Sequence, residues 1–228
     1  MALSAPAGED LGGEDLGDPL DREFFLGDAR DVAPSLLGKL LVRSDGRVAR
    51  FVEVEAYLGL EDPGSHAFRG PTPRTRVMFG PAGILYVYFS YGAHWCANVV
   101  CGPEGQASAV LLRAAQPLYG LAKMREARSH GQRTVVDRDL CRGPGRLTEA
   151  FGIRGESNGL DLTSSSPRGA PRALWLADDG AGSGEAVTVT PRVGLSPARG
   201  AELPLRYVLA GNTWAGPGPA RSVPPGQG

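Results

Sequence analysis

The chain has 228 residues and a formal net charge of −1, enough for one domain with a sizeable hydrophobic core. No apolar run reaches the ~18 residues that a transmembrane helix needs, and the acidic N-terminus lacks the basic start of a signal peptide. Three cysteines without a CxxC pair and three scattered histidines predict neither a disulfide framework nor a metal site. We therefore expect a cytoplasmic protein with no membrane association, no metal and no cofactor.

The net charge hides an uneven distribution of charged residues. Residues 1–21 carry six acids and no base, so the rest of the chain carries a net charge of +5. Residues 113–154 alone hold nine Lys/Arg against four Asp/Glu. A basic face of this kind is compatible with a polyanionic partner and equally with an ordinary solvated surface. Charge alone leaves both interpretations open.

The predicted elements lie between two tails. Residues 1–19 are Gly- and acid-rich and residues 215–228 are Pro/Gly-rich, which predicts disordered tails around one domain at 20–214. Asp28 is placed to cap a short helix that ends before Gly38.

A hairpin comes next in the chain. Residues 39–44 and 47–58 have the composition of strands, and the Asp45-Gly46 pair between them is a strong turn signal. Side chains of a strand alternate between its two faces, so the less apolar face of the second strand holds Phe51, Glu53, Glu55 and Tyr57.

Three further strands follow as an antiparallel meander. Residues 84–90, 94–100 and 108–113 alternate as strands do, and the first two are joined by a turn at Tyr91-Gly92. Beyond them the sequence predicts two helices, a long loop and two more strands, at residues 117–128, 144–151, 155–184, 186–195 and 204–210. The whole pattern predicts a mixed α+β fold: a single domain with a curved antiparallel β-sheet, a protruding β-hairpin and surrounding helices.

Chemically active side chains concentrate in the meander, the strand before it and the loop that joins them. They are Glu55, Tyr57, His66, Tyr88, Tyr91, Asn98 and Arg113. An acid flanked by aromatic rings suits a water-activating base or a stabiliser of positive charge, and a nearby arginine would hold it ionised. The set is typical of a pocket that grips a flat polar ring and breaks a bond to it.

Taken one by one, these residues also have structural explanations. Glu55 could be a solvated strand carboxylate, and Tyr88 could belong to a half-buried side of the sheet. Tyr91 is different, because a bulky ring at a hairpin tip lies where no core can cover it, and exposed loop aromatics often bind or wedge.

Several runs occur in a characteristic order. They are Glu-Ala-Tyr-Leu-Gly, Thr-Pro-Arg-Thr-Arg-Val-Met-Phe-Gly, Leu-Tyr-Val-Tyr-Phe-Ser-Tyr-Gly, Cys-Ala-Asn and Val-Leu-Leu-Arg-Ala. With them the chain resembles the alkyladenine DNA glycosylase family over about residues 20–214, and the run at 140–147 is typical of its bacterial members. The resemblance implies a monofunctional DNA glycosylase that flips damaged purines out of duplex DNA and hydrolyses the N-glycosidic bond, starting base-excision repair. Implied lesions are 3-methyladenine and 7-methylguanine, with hypoxanthine and ethenoadenine as further candidates, and the enzyme would act as a monomer at the nucleoid.

The resemblance also implies a role for each site residue. Glu55 corresponds to the general base, Arg113 helps to hold its water, and a main-chain carbonyl near Leu209 touches the same water. The other roles are enclosing the flipped base (Tyr57, His66 and Tyr88), excluding guanine (Asn98) and filling the gap left in the duplex (Tyr91).

Two other functions remain open at this point. One is a non-catalytic nucleic-acid-binding module, against which the presence of both Glu55 and Arg113 argues. The other is a small sugar or nucleoside hydrolase, whose activity would depend little on salt, whereas binding to duplex DNA weakens steeply with salt. Ala93 follows the wedge where many family members have methionine, which leaves lesion preference open.

Overall fold

The protein is seen in a computed structural model that describes residues 17–129, 134–163, 174–182 and 184–218. In this part of the chain, one curved antiparallel sheet is surrounded by three α-helices. The strands are β1 (Asp18–Pro19), β2 (Leu40–Arg43), β3 (Val48–Tyr57), β4 (Leu85–Ser90), β5 (His94–Cys101), β6 (Ser108–Tyr119), β7 (Leu174–Asp178), β8 (Val187–Thr190) and β9 (Arg206–Leu209). The helices are α1 (Ala29–Leu36), α2 (Leu121–Ser129) and α3 (Pro144–Ala150). The predicted fold class is confirmed.

β3 is the central strand of the sheet. β6 pairs with one of its edges along its whole length, while β2 and β9 share the other edge. The register with β6 shifts on either side of Glu53, as at a β-bulge. β3 has strands on both edges, and its Glu53 and Glu55 side chains are fully buried. The face of β3 that was predicted to be less apolar is therefore buried like the other face.

Local signals explain the elements that lead into β3. The Asp28 side chain accepts a hydrogen bond from the Arg30 main-chain N–H at 2.8 Å and caps α1, as predicted. Gly38 follows the helix with a φ of +85°, a conformation that glycine adopts without strain. The predicted hairpin between β2 and β3 is confirmed, with its turn at Asp45-Gly46.

The prediction that Pro117 opens a helix is wrong. Pro117 lies in β6, opposite Ala49, next to a shift in the β3–β6 register. A proline is tolerated where the ladder is interrupted, because its missing N–H is not needed there. The helix α2 begins only after Gly120, whose φ is +71° and which approaches the Arg47 backbone so closely that a Cβ would lie 2.8 Å from the Arg47 Cα. The predicted helix at α3 is confirmed, with Pro144 in its first turn.

The predicted long loop at 155–184 is also wrong in part. It contains β7, which pairs with β2 on one side and with β1 on the other. β1 shows that the predicted tail 1–19 enters the sheet at its last two residues, and residues 1–16 and 219–228 lie outside the described part of the chain. At the other end, the Gly216 main-chain N–H donates to Glu53 at 2.5 Å, so contacts with the core continue past residue 214.

The predicted protruding hairpin is formed by β4 and β5. The two strands pair from Leu85 opposite Val99 to Ser90 opposite His94, and the turn at Tyr91-Gly92 projects beyond them. Because β5 also pairs with β6, the hairpin continues the sheet on the far side of β6 and β4 forms its edge. The helix α3 packs on the outside of β5. Among the described residues, no helix has the length and apolar character to cross a bilayer.

Candidate active site

A cavity of about 390 Å³ opens between the hairpin, the end of β3 and the segments around residues 64–66 and 193–195. Six of the seven predicted site residues line it, namely Tyr57, His66, Tyr88, Tyr91, Asn98 and Arg113. The seventh, Glu55, is fully buried behind the cavity wall. The structure thus brings the predicted set together, with the acid one side chain deeper than the rest.

The polar contacts of the Glu55 side chain are with residues that line the cavity. Its Oε2 accepts a hydrogen bond from the Tyr57 hydroxyl at 3.0 Å, and its Oε1 accepts one from the Val193 main-chain N–H at 2.8 Å. The Arg113 Nη1 lies 3.3 Å from the same Oε1. All three partners line the cavity. The main-chain group that contacts the Glu55 carboxylate is therefore the Val193 N–H, while Leu209 pairs with Val187 on β8 and the role of a carbonyl near Leu209 stays a prediction.

The environment of Glu55 changes its acidity. Burial raises its pKa, because a charge is poorly solvated there, while the charge of Arg113 and the hydrogen bonds from Val193 and Tyr57 lower it. The net effect is a pKa above the usual glutamate value. A carboxylate of raised pKa is a better proton acceptor than an ordinary one when it is ionised.

Glu53 is a part of the site that the sequence prediction missed. Its Oε1 accepts hydrogen bonds from the Arg113 Nε at 2.7 Å and from the Arg206 Nε at 2.8 Å. Burial would raise the pKa of Glu53, but the hydrogen bond from Arg206 and the charges of both arginines bring it below the usual value. Glu53 is thus an ionised counterion of Arg113, whose guanidinium lies between the carboxylates of Glu53 and Glu55. The alternation of β3 placed Glu53 on the same face as Glu55, but nothing in the sequence paired it with Arg206.

Aromatic rings form one wall of the cavity. The His66 and Tyr88 rings meet edge to face with centroids 4.3 Å apart, and the His66 Nδ1 lies 3.2 Å from the Tyr86 hydroxyl. Tyr86, which was not predicted to belong to the site, therefore also lines the cavity. Burial and the charges of Arg74 and Arg199 lower the pKa of His66 to about 4. His66 is consequently neutral at physiological pH and is not a proton donor there.

Asn98 is the buried amide of the cavity. It lies on β5 between Tyr86 on β4 and Leu111 on β6, and its Nδ2 donates to the Tyr86 main-chain carbonyl at 3.2 Å. This hydrogen bond satisfies one donor of an amide that would otherwise be costly inside a sheet. It also fixes which way the side chain points into the cavity.

Tyr91 lies at the rim and is 83% exposed. Its φ of +49° is a conformation that non-glycine residues rarely adopt, and its hydroxyl reaches the Gly194 carbonyl at 3.4 Å across the cavity mouth. The strained backbone and the uncovered ring have no explanation in packing. Positive charge surrounds the same mouth, since Arg74 and Arg199 line it and the Arg74 guanidinium lies 5.4 Å from the Tyr88 ring centre.

A carboxylate held behind an aromatic cavity, next to an exposed ring on a strained turn, suits the stacking of a planar base and proton transfer beside it. The model of the methylpurine-DNA glycosylase family matches residues 23–213. The chain belongs to this family and is a DNA glycosylase. The family resemblance expected from the motifs is confirmed.

Curated relatives match over nearly their whole length. A protein of Burkholderia lata is 50% identical over 198 residues, which cover 87% of this chain and 91% of the relative. One of Rhodopseudomonas palustris is 48% identical over 198 residues (86% and 90%), and one of Koribacter versatilis is 45% identical over 199 residues (85% and 91%). All three are provisionally named 3-methyladenine DNA glycosylase.

Proposed function

We propose that this chain is a monofunctional glycosylase that takes alkylated or deaminated purines from duplex DNA into the cavity and hydrolyses their N-glycosidic bond. The observation that carries the proposal is the position of Glu55, buried behind the cavity and bonded to Tyr57, Arg113 and Val193. The cavity volume lies in the range of pockets that enclose one small ligand. Expected substrates are 3-methyladenine and 7-methylguanine, with hypoxanthine and ethenoadenine as further ones.

A base inside a duplex cannot reach this cavity, so it has to leave the stack. Extrusion costs a few kcal/mol, and less for a damaged or mispaired base. Tyr91, exposed on the hairpin tip beside the cavity mouth, would enter the minor groove and fill the gap. Its ring replaces part of the stacking that the duplex loses.

The hydrolysis needs one carboxylate. Glu55 accepts a proton from a water molecule bound at the cavity floor beside Arg113, and the water oxygen attacks C1′ of the sugar. The bond between C1′ and the base nitrogen breaks, and the base leaves with its electron pair. The negative charge of Glu55 also stabilises the positive charge that develops on the sugar. An alkylated purine that is already cationic needs no proton in order to leave.

The side chains that form the cavity walls would select among the bases. Positively charged bases such as 3-methyladenine and 7-methylguanine stack well on electron-rich rings, and Tyr57 and Tyr88 supply these rings. His66 would add a third, neutral wall. Asn98, held by the Tyr86 carbonyl, would clash with the 2-amino group of guanine and so exclude an abundant normal base.

The reaction would stop at the abasic site. Strand cleavage through a Schiff base needs an activated amine. The sequence has two lysines, and both are engaged away from the cavity: Lys39 bonds Asp178, and Lys123 bonds the Asp45 carbonyl. The substrate would therefore be double-stranded DNA that contains a damaged purine, acted on by a single copy of the chain.

The test is product analysis on duplexes that carry one lesion each: 3-methyladenine, 7-methylguanine, hypoxanthine or ethenoadenine. Glu55→Gln should lower the single-turnover excision rate by roughly 10²–10⁴-fold and leave DNA affinity intact. Glu202→Gln, at an exposed carboxylate, serves as the matched control and should behave as wild type. Retention of excision by Glu55→Gln would refute the role of Glu55. Strand nicking without an added abasic-site nuclease would refute the monofunctional assignment.

A further inference from the structure

A buried ion pair lies behind the cavity wall and has no part in the mechanism above. Arg192 and Asp62 are both fully buried, and the guanidinium meets the carboxylate through two bonds, from Nη1 at 2.5 Å and from Nη2 at 2.8 Å. This fork geometry is specific to arginine, since a lysine ammonium cannot form two parallel bonds with a carboxylate. Because such pairs contribute little net stability when both charges are desolvated, stability alone is a weak reason for it.

The guanidinium also stacks on a cavity residue. Its central carbon lies 4.6 Å from the centre of the Tyr57 ring. Tyr57 lines the cavity and Arg192 does not, so the guanidinium supports the ring from behind. Asp62 compensates the charge of Arg192, which means that the stack can fix the ring without placing a net positive charge behind a bound base.

The pair joins three segments that form the cavity. The Asp62 carboxylate accepts main-chain N–H groups of Leu58 at 3.1 Å and Gly64 at 2.8 Å, and so holds the loop between β3 and His66. Arg192 donates to the Ala56 carbonyl at 3.1 Å, on the strand that carries Glu55. The residue after Arg192 is Val193, whose N–H bonds Glu55.

We propose that Arg192 and Asp62 are positioning residues of the glycosylase reaction, which set the Tyr57 ring and the Val193 amide against Glu55. The proposal rests on the proposed function. Movement of any of the three segments would displace Tyr57 or Val193 relative to Glu55, and small displacements of reacting groups have large effects on rate. The pair therefore acts on the chemical step more than on DNA affinity.

Two substitutions of Arg192 test this. Arg192→Lys keeps a positive charge for Asp62 but loses the flat stack and the second bond, and Arg192→Met loses the charge as well. We expect the single-turnover excision rate constant to fall about tenfold or more in both, with DNA affinity within about threefold of wild type. The rate constant should still be lower when it is expressed per folded molecule. The active fraction is measured by titration of the product amplitude, and folding is measured by circular dichroism.

The pH profile supplies a readout that a purely structural role would not move. In Arg192→Met the acidic limb of the rate profile should shift to higher pH, because loss of the Val193 contact and of a nearby positive charge both disfavour ionised Glu55. The other titratable or charged side chains that interact with Glu55 are Glu53, Tyr57, Tyr88, Cys96 and Arg113, and none of them is substituted in this comparison.

The matched control is Arg50→Lys. Arg50 also forms a two-bond pair, less deeply buried, with Asp179 at 3.0 and 2.5 Å at the other end of β3. The single-turnover excision rate constant of Arg50→Lys should equal that of wild type. The proposal is overturned if Arg192→Lys excises within about twofold of wild type per folded molecule, since retention of the ion pair would then suffice. An inactive wild type would instead overturn the proposed function. If Arg192→Met does not fold, Arg192→Lys alone decides whether the pair positions the reacting groups.

Discussion

The Tyr57 hydroxyl donates a hydrogen bond to the Glu55 carboxylate at 3.0 Å, so the wall of the cavity and the buried acid form one unit. Tyr57 is itself held in its un-ionised form, because burial and the negative charge of Glu55 raise its pKa well above the usual tyrosine value. It therefore remains a hydrogen-bond donor over the whole working range of the enzyme.

Tyr57→Phe separates the two roles of this residue, since it keeps the ring and removes the donor. Glu55 has to be ionised to act as a base, and the Tyr57 hydrogen bond lowers its pKa. Its loss should move the acidic limb of the rate–pH profile to higher pH and slow excision by about 3- to 10-fold near neutrality. Single-turnover rates between pH 5 and 8 provide the measurement. An unchanged acidic limb would show that Glu55 does not control it.

Local sequence signals were sufficient for much of the fold. The Asp28 cap, the Asp45-Gly46 turn and the Tyr91-Gly92 turn act through residues that are neighbours in the chain, and each was predicted correctly. Pro117 was misassigned because proline is common both at helix starts and at interrupted strand ends. β7 was missed because its five residues stand among Gly- and Ser-rich segments, and only β2 and β1 on either side make it a strand.

Much of the membership of the candidate site was predictable, although Glu53 and Tyr86 were missed, but its depth was not. Motifs within residues 53–113 identified the residues around the cavity, whereas the burial of Glu55 depends on β9 and on the segment at Val193. The partners Arg206 and Arg192 lie more than a hundred residues from Glu53 and Asp62 in the chain. No periodicity carries such pairings, so they appear only in the folded structure.

Glu53→Gln should be strongly destabilising. The substitution leaves Arg113 and Arg206 side by side without their shared counterion, and a buried charge that loses its partner typically costs about 3–5 kcal/mol. Urea unfolding of the variant and of wild type gives the difference in free energy. The matched control is Asp139→Asn, which breaks an exposed pair with Arg146 and should cost less than about 1 kcal/mol. Equal losses in the two variants would contradict the assignment of Glu53 as a buried counterion.

His66 should make stability depend on pH. Its pKa is about 4 in the folded protein, mainly because of burial, and about 6.5 in an unfolded chain. Between pH 4 and 6.5 the unfolded state therefore binds more protons than the folded state, so the free energy of unfolding falls as pH falls. The contribution of His66 to that free energy is complete above pH 6.5 and is lost as pH falls to 4. The full shift corresponds to about 3 kcal/mol, which partial exposure reduces to about 1–2 kcal/mol.

The comparison that isolates this contribution is wild type against His66→Gln. The free energy of unfolding of wild type should fall relative to that of the variant as pH decreases from 6.5 to 4, and the difference should be constant above pH 7. Parallel stability curves over the whole range would show that His66 titrates normally in the folded protein.

Tyr91→Ala should impair excision from duplex DNA without affecting the fold. Because the ring is 83% exposed, thermal stability should change little. Removal of the ring leaves nothing to fill the gap beside the extruded base, so excision from a duplex should fall roughly 10- to 100-fold. A single-stranded oligonucleotide with the same lesion has no gap to fill, and its excision should fall far less. Tyr91→Phe keeps the ring and loses only the weak contact with Gly194, so it should excise from both substrates as wild type does. Equal losses on single and double strands in Tyr91→Ala would mean that Tyr91 contributes to the base pocket and has no role as a wedge.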